Sequence, residues 1–525
     1  MQEFELDKLT GGWKLAVLKR AIFILANMGH HPSDEISWFE AAKLIAREKN
    51  GQYFAWLAIT GTYPNKFEFK KFISASEIHG FEYATWILIQ ERNQNLFSAN
   101  LLEKVVLVTP THSQMVDITH TYQMPYLTGI QRVVYGVTQN VANISTFTWA
   151  GSTGIITEVI LGRNLKGKSQ IIASKSRREK AIYFLHSLVP MLDKTPGGKK
   201  FRILILPVAR RIKQTLKMGE YMSLLSLNES SMIQNILILD AQITIPEIPA
   251  PEQIYLYETI LENSVVPVQI ILYDFIPLFH AWTVHPNNRG NLNIYIRLVF
   301  LADRVISISQ LVHEQAKLII QAFKLERPEW QIRKQTFDFL SLPSGLGAAT
   351  LEEFQKDPSL FVMAGSLEPR KNHLQFLDAL EIVANRNIAI KGEILGSAGW
   401  ENDQILDRIH NLQAKGISVT RLGNLSDSQI RERIGKAQAL LQISEAEGFG
   451  LPIAEALAVG TRVIVSDIRP LNEWAGERVQ VLKLGDAREL AEVLLKILKN
   501  PEVSTSFTES SRSWDDWCKL LYLNR

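Results

Sequence analysis

The chain has 525 residues, 46% hydrophobic and 21% charged, with 57 basic residues against 54 acidic ones and a formal charge of +3. That is too long for one hydrophobic core and too ordinary for a disordered, collagen-like or coiled-coil chain, so two or three globular domains are expected. The lone cysteine, Cys518, excludes an internal disulfide and a cysteine-built structural zinc site, and a reducing cytoplasm fits it best.

The first residues, MQEFELDKLTGGWK, carry acidic side chains and no apolar run after a basic start, unlike a secretory leader. No window offers the roughly 18 uninterrupted apolar residues of a membrane span. The nearest, 264–279, is broken by Pro267, Asp274 and Pro277 and reads as a buried strand running into a loop. Apolar residues at helical spacing predict helices over 13–28, 35–49 and 82–93, so residues 1–100 are expected to be a helical extension. Its aromatic residues, Trp38, Phe39, Tyr53, Phe54, Trp56 and Trp86, suit a small helical core or a ligand surface, the core being the expected reading. It holds no catalytic constellation.

Near residue 102 the pattern changes to strands followed by helices. Strands are predicted over 105–109 and 115–119, the second leading through a polar loop into Thr128-Gly-Ile-Gln-Arg-Val-Val134. Strand, loop, glycine and helix in that order begin many doubly wound domains. Gly129 admits close approach there, or serves turn geometry alone. Residues 163–217 hold fifteen basic side chains against Glu179 and Asp193. Such a run is a solvated face or an attractor of phosphates, on an anionic membrane surface or an acidic acceptor. It lacks the reading motifs and regularly spaced aromatics of a nucleic-acid binder.

Further strands over 202–207, 236–239, 266–273 and 304–308 are expected in one parallel sheet. Asp274, Pro277, His280 and His285 follow the third at its carboxyl end, where cleft residues sit. The two histidines suit general acids, acceptor-orienting groups or polar loop positions, and their spacing is not that of a zinc pair.

Residues 340–356, with Pro343, Gly345 and Gly347, read as a linker, after which strand and helix alternate again. Strand 360–364 precedes Gly365-Ser-Leu-Glu-Pro-Arg-Lys-Asn372, strand 388–395 precedes the turn 396–400, and strand 418–422 precedes a helix capped by Ser426. Strands 439–444, 461–465 and 479–484 and a helix over 486–499 complete a second parallel sheet. Within it, the stretch SEAEGFGLPIAEALAVGTRVIVSD from Ser444 places Glu447 on a loop and a helix from Leu451 or Pro452 to Gly460. Gly448 and Gly450 let the backbone approach a ligand, and the free N–H groups of the first turn predict an anion. Glu455, about one turn in, borders the same pocket as Glu447 or merely complements the helix dipole. Arg370 and Lys371 oppose a helix dipole where they stand, which favours a bound anion over a solvated pair.

In this order the motifs resemble the retaining glycosyltransferases of the GT-B fold, family 4, also called glycosyl transferases group 1. Glu447-Gly-Phe-Gly-Leu-Pro…Glu455 resembles the family's paired glutamates, Gly365 to Asn372 its diphosphate loop, and Thr128-Gly-Ile-Gln-Arg-Val the glycine loop of its acceptor domain. The 396–400 turn, Leu422-Gly-Asn-Leu-Ser426 and Ser513-Trp514 also stand in family order. Tyr273-Asp274-Phe-Ile-Pro277 is similar to a segment that often carries His before the Asp; here that residue is Tyr273, with His280 nearby.

The resemblance implies an α/β protein of GT-B type: two facing Rossmann-like domains with an interdomain cleft, behind the N-terminal helical extension. The acceptor domain would span 101–342, with a C-terminal helix 508–525 packing back on it, and the donor domain 343–507. The implied reaction moves a hexose from a nucleotide diphosphate sugar to an acceptor hydroxyl with retention, in polysaccharide or lipid-linked glycan synthesis. Glu447, Arg370 and Lys371 would be catalytic, and Gly365, Gly448, Phe449, Gly450, Leu451, Glu455 and Asn424 would bind the donor. Gly129, Asp274 and His280 would lie on the acceptor side. The chain has no Asp-x-Asp, so no metal and no other cofactor is expected. Expected partners are the nucleotide sugar, a glycan or lipid-linked acceptor and no nucleic acid. The expected location is cytoplasmic, with the basic run 163–217 opening peripheral attachment to the inner face of the cell membrane. A nucleotide-sugar epimerase, a phosphorylase of the same fold and a noncatalytic nucleotide-sugar-binding scaffold are the alternatives.

Overall fold

A computed structural model of the chain describes residues 11–33, 35–95, 114–123, 129–141, 144–149, 154–159, 235–239, 241–264, 266–286, 291–326, 334–343, 354–423, 425–501 and 513–523. The chain divides into two compact units, the first drawn from 1–125, 143–241 and 255–266, the second from 126–142, 242–254 and 267–525. Three sequence expectations, the strands over 105–109 and 202–207 and the basic run 163–217, lie outside the described residues.

The first unit opens with helices α1 (Gly11–Asn27), α2 (Trp38–Ala46), α3 (Gly51–Thr60), α4 (Lys66–His79) and α5 (Phe81–Asn95). Eight of the ten residues of α3 are buried, so it shows no polar face, and that is why periodicity missed it. Ser37 and Glu40 close a capping box on α2. The buried Arg20 donates from Nε to the Ala58 carbonyl at 2.7 Å, supplying a donor to the last turn of α3. Tyr53 and Trp56 are buried and meet Phe69 edge-on, so these aromatic residues form a core.

The helices share packing with the strands of their unit. Tyr63 donates its hydroxyl to the Ile238 carbonyl at 3.1 Å, its own carbonyl would stand 1.8 Å from a Cβ placed on Gly154, and Lys66 pairs with Glu262 at 2.6 Å. Strand β1 (Gln114–Asp117) pairs in parallel with β2 (Ile144–Trp149), and β2 pairs antiparallel with β3 (Ile156–Val159). The segment 236–239, expected as a parallel strand, contributes only the end of β4 (Asn235–Ile236), which runs antiparallel to β3.

In the second unit β5 (Gln242–Ile245), β6 (Val268–Leu272), β7 (Arg304–Ser307) and β8 (Thr336–Phe339) lie side by side in parallel. A six-stranded parallel sheet follows: β9 (Leu360–Ala364), β10 (Lys391–Leu395), β11 (Ser418–Leu422), β12 (Ala439–Gln442), β13 (Arg462–Ser466) and β14 (Val479–Leu482), ordered β11-β10-β9-β12-β13-β14. The class is α/β, with Rossmann-like parallel sheets behind an all-helical start. The chain builds outward from β9 to β11, then crosses to start again at β12. The boundary between β9 and β12 is therefore a topological switch point, where loops at the carboxyl ends diverge and leave a crevice.

The last described helix, Trp514–Leu523, packs on the helix Gly129–Asn140: Trp514 covers Gly136, where an added Cβ would stand 2.4 Å from the ring. Trp517 donates to the Leu340 carbonyl at 3.3 Å. Burial, then Asp515, pushes the Cys518 thiol up to about 12, which makes it an unreactive packing residue. Among the described residues no helix is long and apolar enough to cross a membrane.

Candidate active site

The switch point gathers the charged residues expected there. The loop after β9 begins at Gly365, whose φ of +138° is one that glycine tolerates and whose missing Cβ leaves room for the Lys371 side chain. A short 3-10 turn, Pro369–Lys371, ends in Asn372 at φ 61°, and a helix starts at His373. The neighbouring loop after β12 carries Glu447. The two loops are joined by the Glu445 N–H, which donates to the Arg370 carbonyl at 2.8 Å.

Glu447 is the centre of a buried ion cluster, its side chain 10% exposed. Lys371 Nζ donates to its Oε1 at 2.5 Å and Arg370 NH1 lies 3.2 Å from its Oε2. Ser444 Oγ at 2.6 Å and Gln442 Nε2 at 2.8 Å also donate to Oε1. Burial alone would raise this carboxyl; Lys371 and Arg370 outweigh it and hold Glu447 at about 2. Burial lowers Lys371 below the ordinary lysine range against the pull of Glu447. Arg370 also donates to the Ala446 carbonyl at 2.6 Å and to Glu368 at 3.3 Å, and Ser366 Oγ donates to Glu368 at 2.7 Å. Arg370 is thus held on more than one side and Lys371 is anchored by Glu447, as a preorganised anion site requires.

The helix Leu451–Ala458 starts as the proline predicts, behind Gly450 at φ +94°. Phe449 is buried edge-on against Trp474, which donates to the Phe449 carbonyl at 3.1 Å and so fixes the turn. Gly448 has a different use from the one expected. A Cβ there would stand 2.2 Å from the Tyr273 carbonyl, so the glycine admits another part of the chain, the segment that follows β6.

Glu455 is the fifth residue of its helix, beyond the first turn where the dipole acts most strongly, which weakens the dipole explanation. Its Oε1 accepts a short hydrogen bond from Arg132 NH1, on the helix Gly129–Asn140. Arg132 also donates from Nε at 3.0 Å and NH2 at 2.8 Å to Asp427 Oδ1, in the first turn of the helix Asp427–Lys436 that Ser426 caps. Burial, with a smaller push from Asp427, raises Glu455 to about 7 against the pull of Arg132.

Of the acceptor-side residues, Asp274 joins the cluster: Arg370, Glu447 and Lys371 all act on its carboxyl, and burial is the largest effect, raising it. Its Oδ1 accepts the Ile276 N–H at 2.9 Å. Tyr273, where the resembling family often has His, is buried and donates to the Pro246 carbonyl, a packing use. His280 is not brought to the cluster; its ring meets the exposed Trp282 edge-on at 5.3 Å. Gly129 is exposed with open space where a Cβ would stand. Asn424 lies outside the described residues. Sequence reasoning missed Gln442 and Ser444, which orient Glu447, and Arg132 and Asp427, which hold Glu455. Arg132 lay inside the motif quoted for Gly129, and only its partner was hidden.

Residues 351–514 match the family described as Glycosyl transferases group 1. The serotype-specific mannosyltransferase WbdA of Escherichia coli is 27% identical over 263 residues, covering 47% of this chain and 32% of the relative. The phosphatidyl-myo-inositol mannosyltransferase of Mycobacterium tuberculosis is 28% identical over 171 residues, covering 30% of this chain and 42% of that one. The chain therefore spans about a third of the length of WbdA. A crystal structure of Anabaena Alr3699/HepE in complex with UDP-glucose aligns with a TM-score of 0.37 at 16% identity, over 53% of this chain and 73% of that one.

Proposed function

From a chain that carries a domain of the glycosyl transferases group 1 family over residues 351–514, we propose the transfer of a hexose from a nucleotide diphosphate sugar to an acceptor hydroxyl with retention at the anomeric carbon. The observation that carries the reading is the convergence of Arg370 and Lys371 on Glu447 at the β9/β12 switch point, beside the start of the helix Leu451–Ala458. A diphosphate brings about two to three negative charges, and a guanidinium and an ammonium both fixed by Glu447 stand ready to neutralise it. As the anomeric C–O bond breaks, charge grows on the departing phosphate, so these cations and the helix N–H groups bind the transition state more tightly than the ground state.

In this reading Glu447 fixes the two cations and faces the donor sugar, and Glu455 accepts the ribose hydroxyls. The acceptor oxygen bonds to the anomeric carbon on the face the phosphate leaves, and its proton passes to the leaving phosphate oxygen. Charge neutralisation by Arg370 and Lys371 supports metal independence. The mannosyltransferase names of the curated relatives make a mannosyl donor the first to try. They also support a polysaccharide or lipid-linked acceptor, and the basic run 163–217 supports its encounter at an anionic surface.

The test is an acceptor screen with GDP-mannose and UDP-hexoses, read by nucleotide release and by NMR of the product. Release that needs an acceptor, persists in EDTA and gives the donor's anomeric configuration is expected. Inversion, or turnover without acceptor to an epimerised sugar, rejects it.

A further inference from the structure

Arg132 stands three residues after Gly129, in a segment whose resemblance points to the acceptor side, yet its side chain ends on a donor-side carboxylate. Its side chain is only 17% exposed and that of Glu455 13%, whereas Asp427 is 58% exposed. The guanidinium uses three of its five N–H groups, two on Asp427 Oδ1 and one on Glu455 Oε1. Among the described residues the other oxygen of Glu455, Oε2, has no hydrogen-bond partner and is not sealed from solvent. Asp427 is itself fixed, because the Ser426–Gln429 capping box orders the first turn it stands on.

We propose that Arg132 is a positioning residue for the donor's ribose: it clamps one oxygen of Glu455 so that the other is presented to the ribose hydroxyls, and Asp427 holds the clamp. The inference rests on the donor-site reading above. Three properties of the cluster lead to it. A guanidinium is planar and presents its N–H groups in a rigid fork, so bonding two carboxylates at once fixes the rotation of both. Glu455 projects from the fifth position of a short helix with no other described partner, so without Arg132 its carboxylate turns freely. The three charges also sum to about −1 with both carboxyls ionised, which repels a phosphate and suits neutral hydroxyl donors. The diphosphate then belongs to Arg370 and Lys371, and the ribose to Glu455.

The experiment is calorimetry on the full chain with GDP and UDP, their 2′-deoxy counterparts and inorganic pyrophosphate. The parent is expected to bind one ribonucleotide about tenfold more tightly than its deoxy form, as one charge-assisted hydrogen bond allows. Arg132→Ala should bind that ribonucleotide about tenfold more weakly, lose most of the ribose discrimination and bind pyrophosphate as before. Arg132→Lys should restore part of the discrimination, because it keeps the charge and loses the fork. Asp427→Ala, at an exposed position, should reproduce the loss in milder form and serves if Arg132→Ala does not fold. An equal loss of pyrophosphate binding would make Arg132 a phosphate ligand, and tighter nucleotide binding would make it a competitor of the donor; either overturns the proposal. So does unchanged discrimination in Arg132→Ala while the parent binds nucleotide. A parent that binds neither GDP nor UDP instead removes the donor-site reading itself.

Discussion

Glu447 and Glu455 leave the same strand end on one loop and helix, and their surroundings drive them apart. Glu447 meets an ammonium, a guanidinium, a hydroxyl and an amide, and stays ionised down to about 2. Glu455 meets one guanidinium already engaged by Asp427, and burial lifts it to about 7. Environments that push two carboxyls in opposite directions assign them different work. The first is a permanent anion that holds two cations in place. The second is an acceptor whose charge depends on what approaches it, which suits a group that trades one hydrogen-bond partner for another.

The largest way to break this contrast is Glu447→Gln. It leaves Lys371 and Arg370 buried without their carboxylate, and breaking a buried pair from one side costs about 3–5 kcal/mol. Denaturant unfolding should register that loss, and transfer should fall at least about 100-fold because the cations lose their placement. Lys371→Ala should cost less stability but weaken nucleotide binding about 100-fold by calorimetry, since a charge-assisted contact to diphosphate is lost. If Glu455→Gln matched Glu447→Gln in both measurements, the two carboxyls would not differ in kind.

Glu455→Gln sharpens the contrast through pH. The folded pKa of Glu455 lies above its ordinary value of 4.5, so between about pH 4.5 and 7 the native state holds a proton that the unfolded chain has lost. Its contribution to stability therefore falls as pH rises through that window. The amide has no proton to lose. Melting temperatures of variant and parent should diverge in the variant's favour from pH 4.5 to 7 and then run parallel. A constant difference would mean that Glu455 is ionised throughout and resembles Glu447 after all.

The strands and the turn of this site were legible because they depend on neighbours in sequence. The runs 360–364 and 439–441 are apolar on both faces, as strands between helix layers must be, and Pro452 and Gly460 mark the helix that follows the second. Strands β5 and β8 escaped because QITI and TFDF are four residues long and half polar. The ion pairing escaped for another reason. Arg132 and Glu455 are 323 positions apart and Lys371 and Glu447 are 76 apart, and no local pattern states which distant side chain a charge will meet. Gly448 shows the same limit, since its need for a missing Cβ was legible while the partner, the Tyr273 carbonyl, was not.

Ser444→Ala is the smallest change and the finest probe of why Glu447 stays ionised. The hydroxyl donates to Oε1 at 2.6 Å and is fully buried, so its removal should cost about 1–1.5 kcal/mol at neutral pH. Lys371 and Arg370 remain, so nucleotide affinity should change by less than about threefold. The depressed pKa contributes stability that is complete above about 4.5 and lost as pH falls toward 2. Without the serine bond the folded pKa rises, so the loss, which begins near 4.5 in both proteins, is complete at a higher pH in the variant. The gap between parent and variant should therefore be full at pH 7 and narrow as the carboxyl protonates in both. A gap that stays constant to pH 2 would mean that Ser444 contributes by packing, and that the two cations alone set the charge of Glu447.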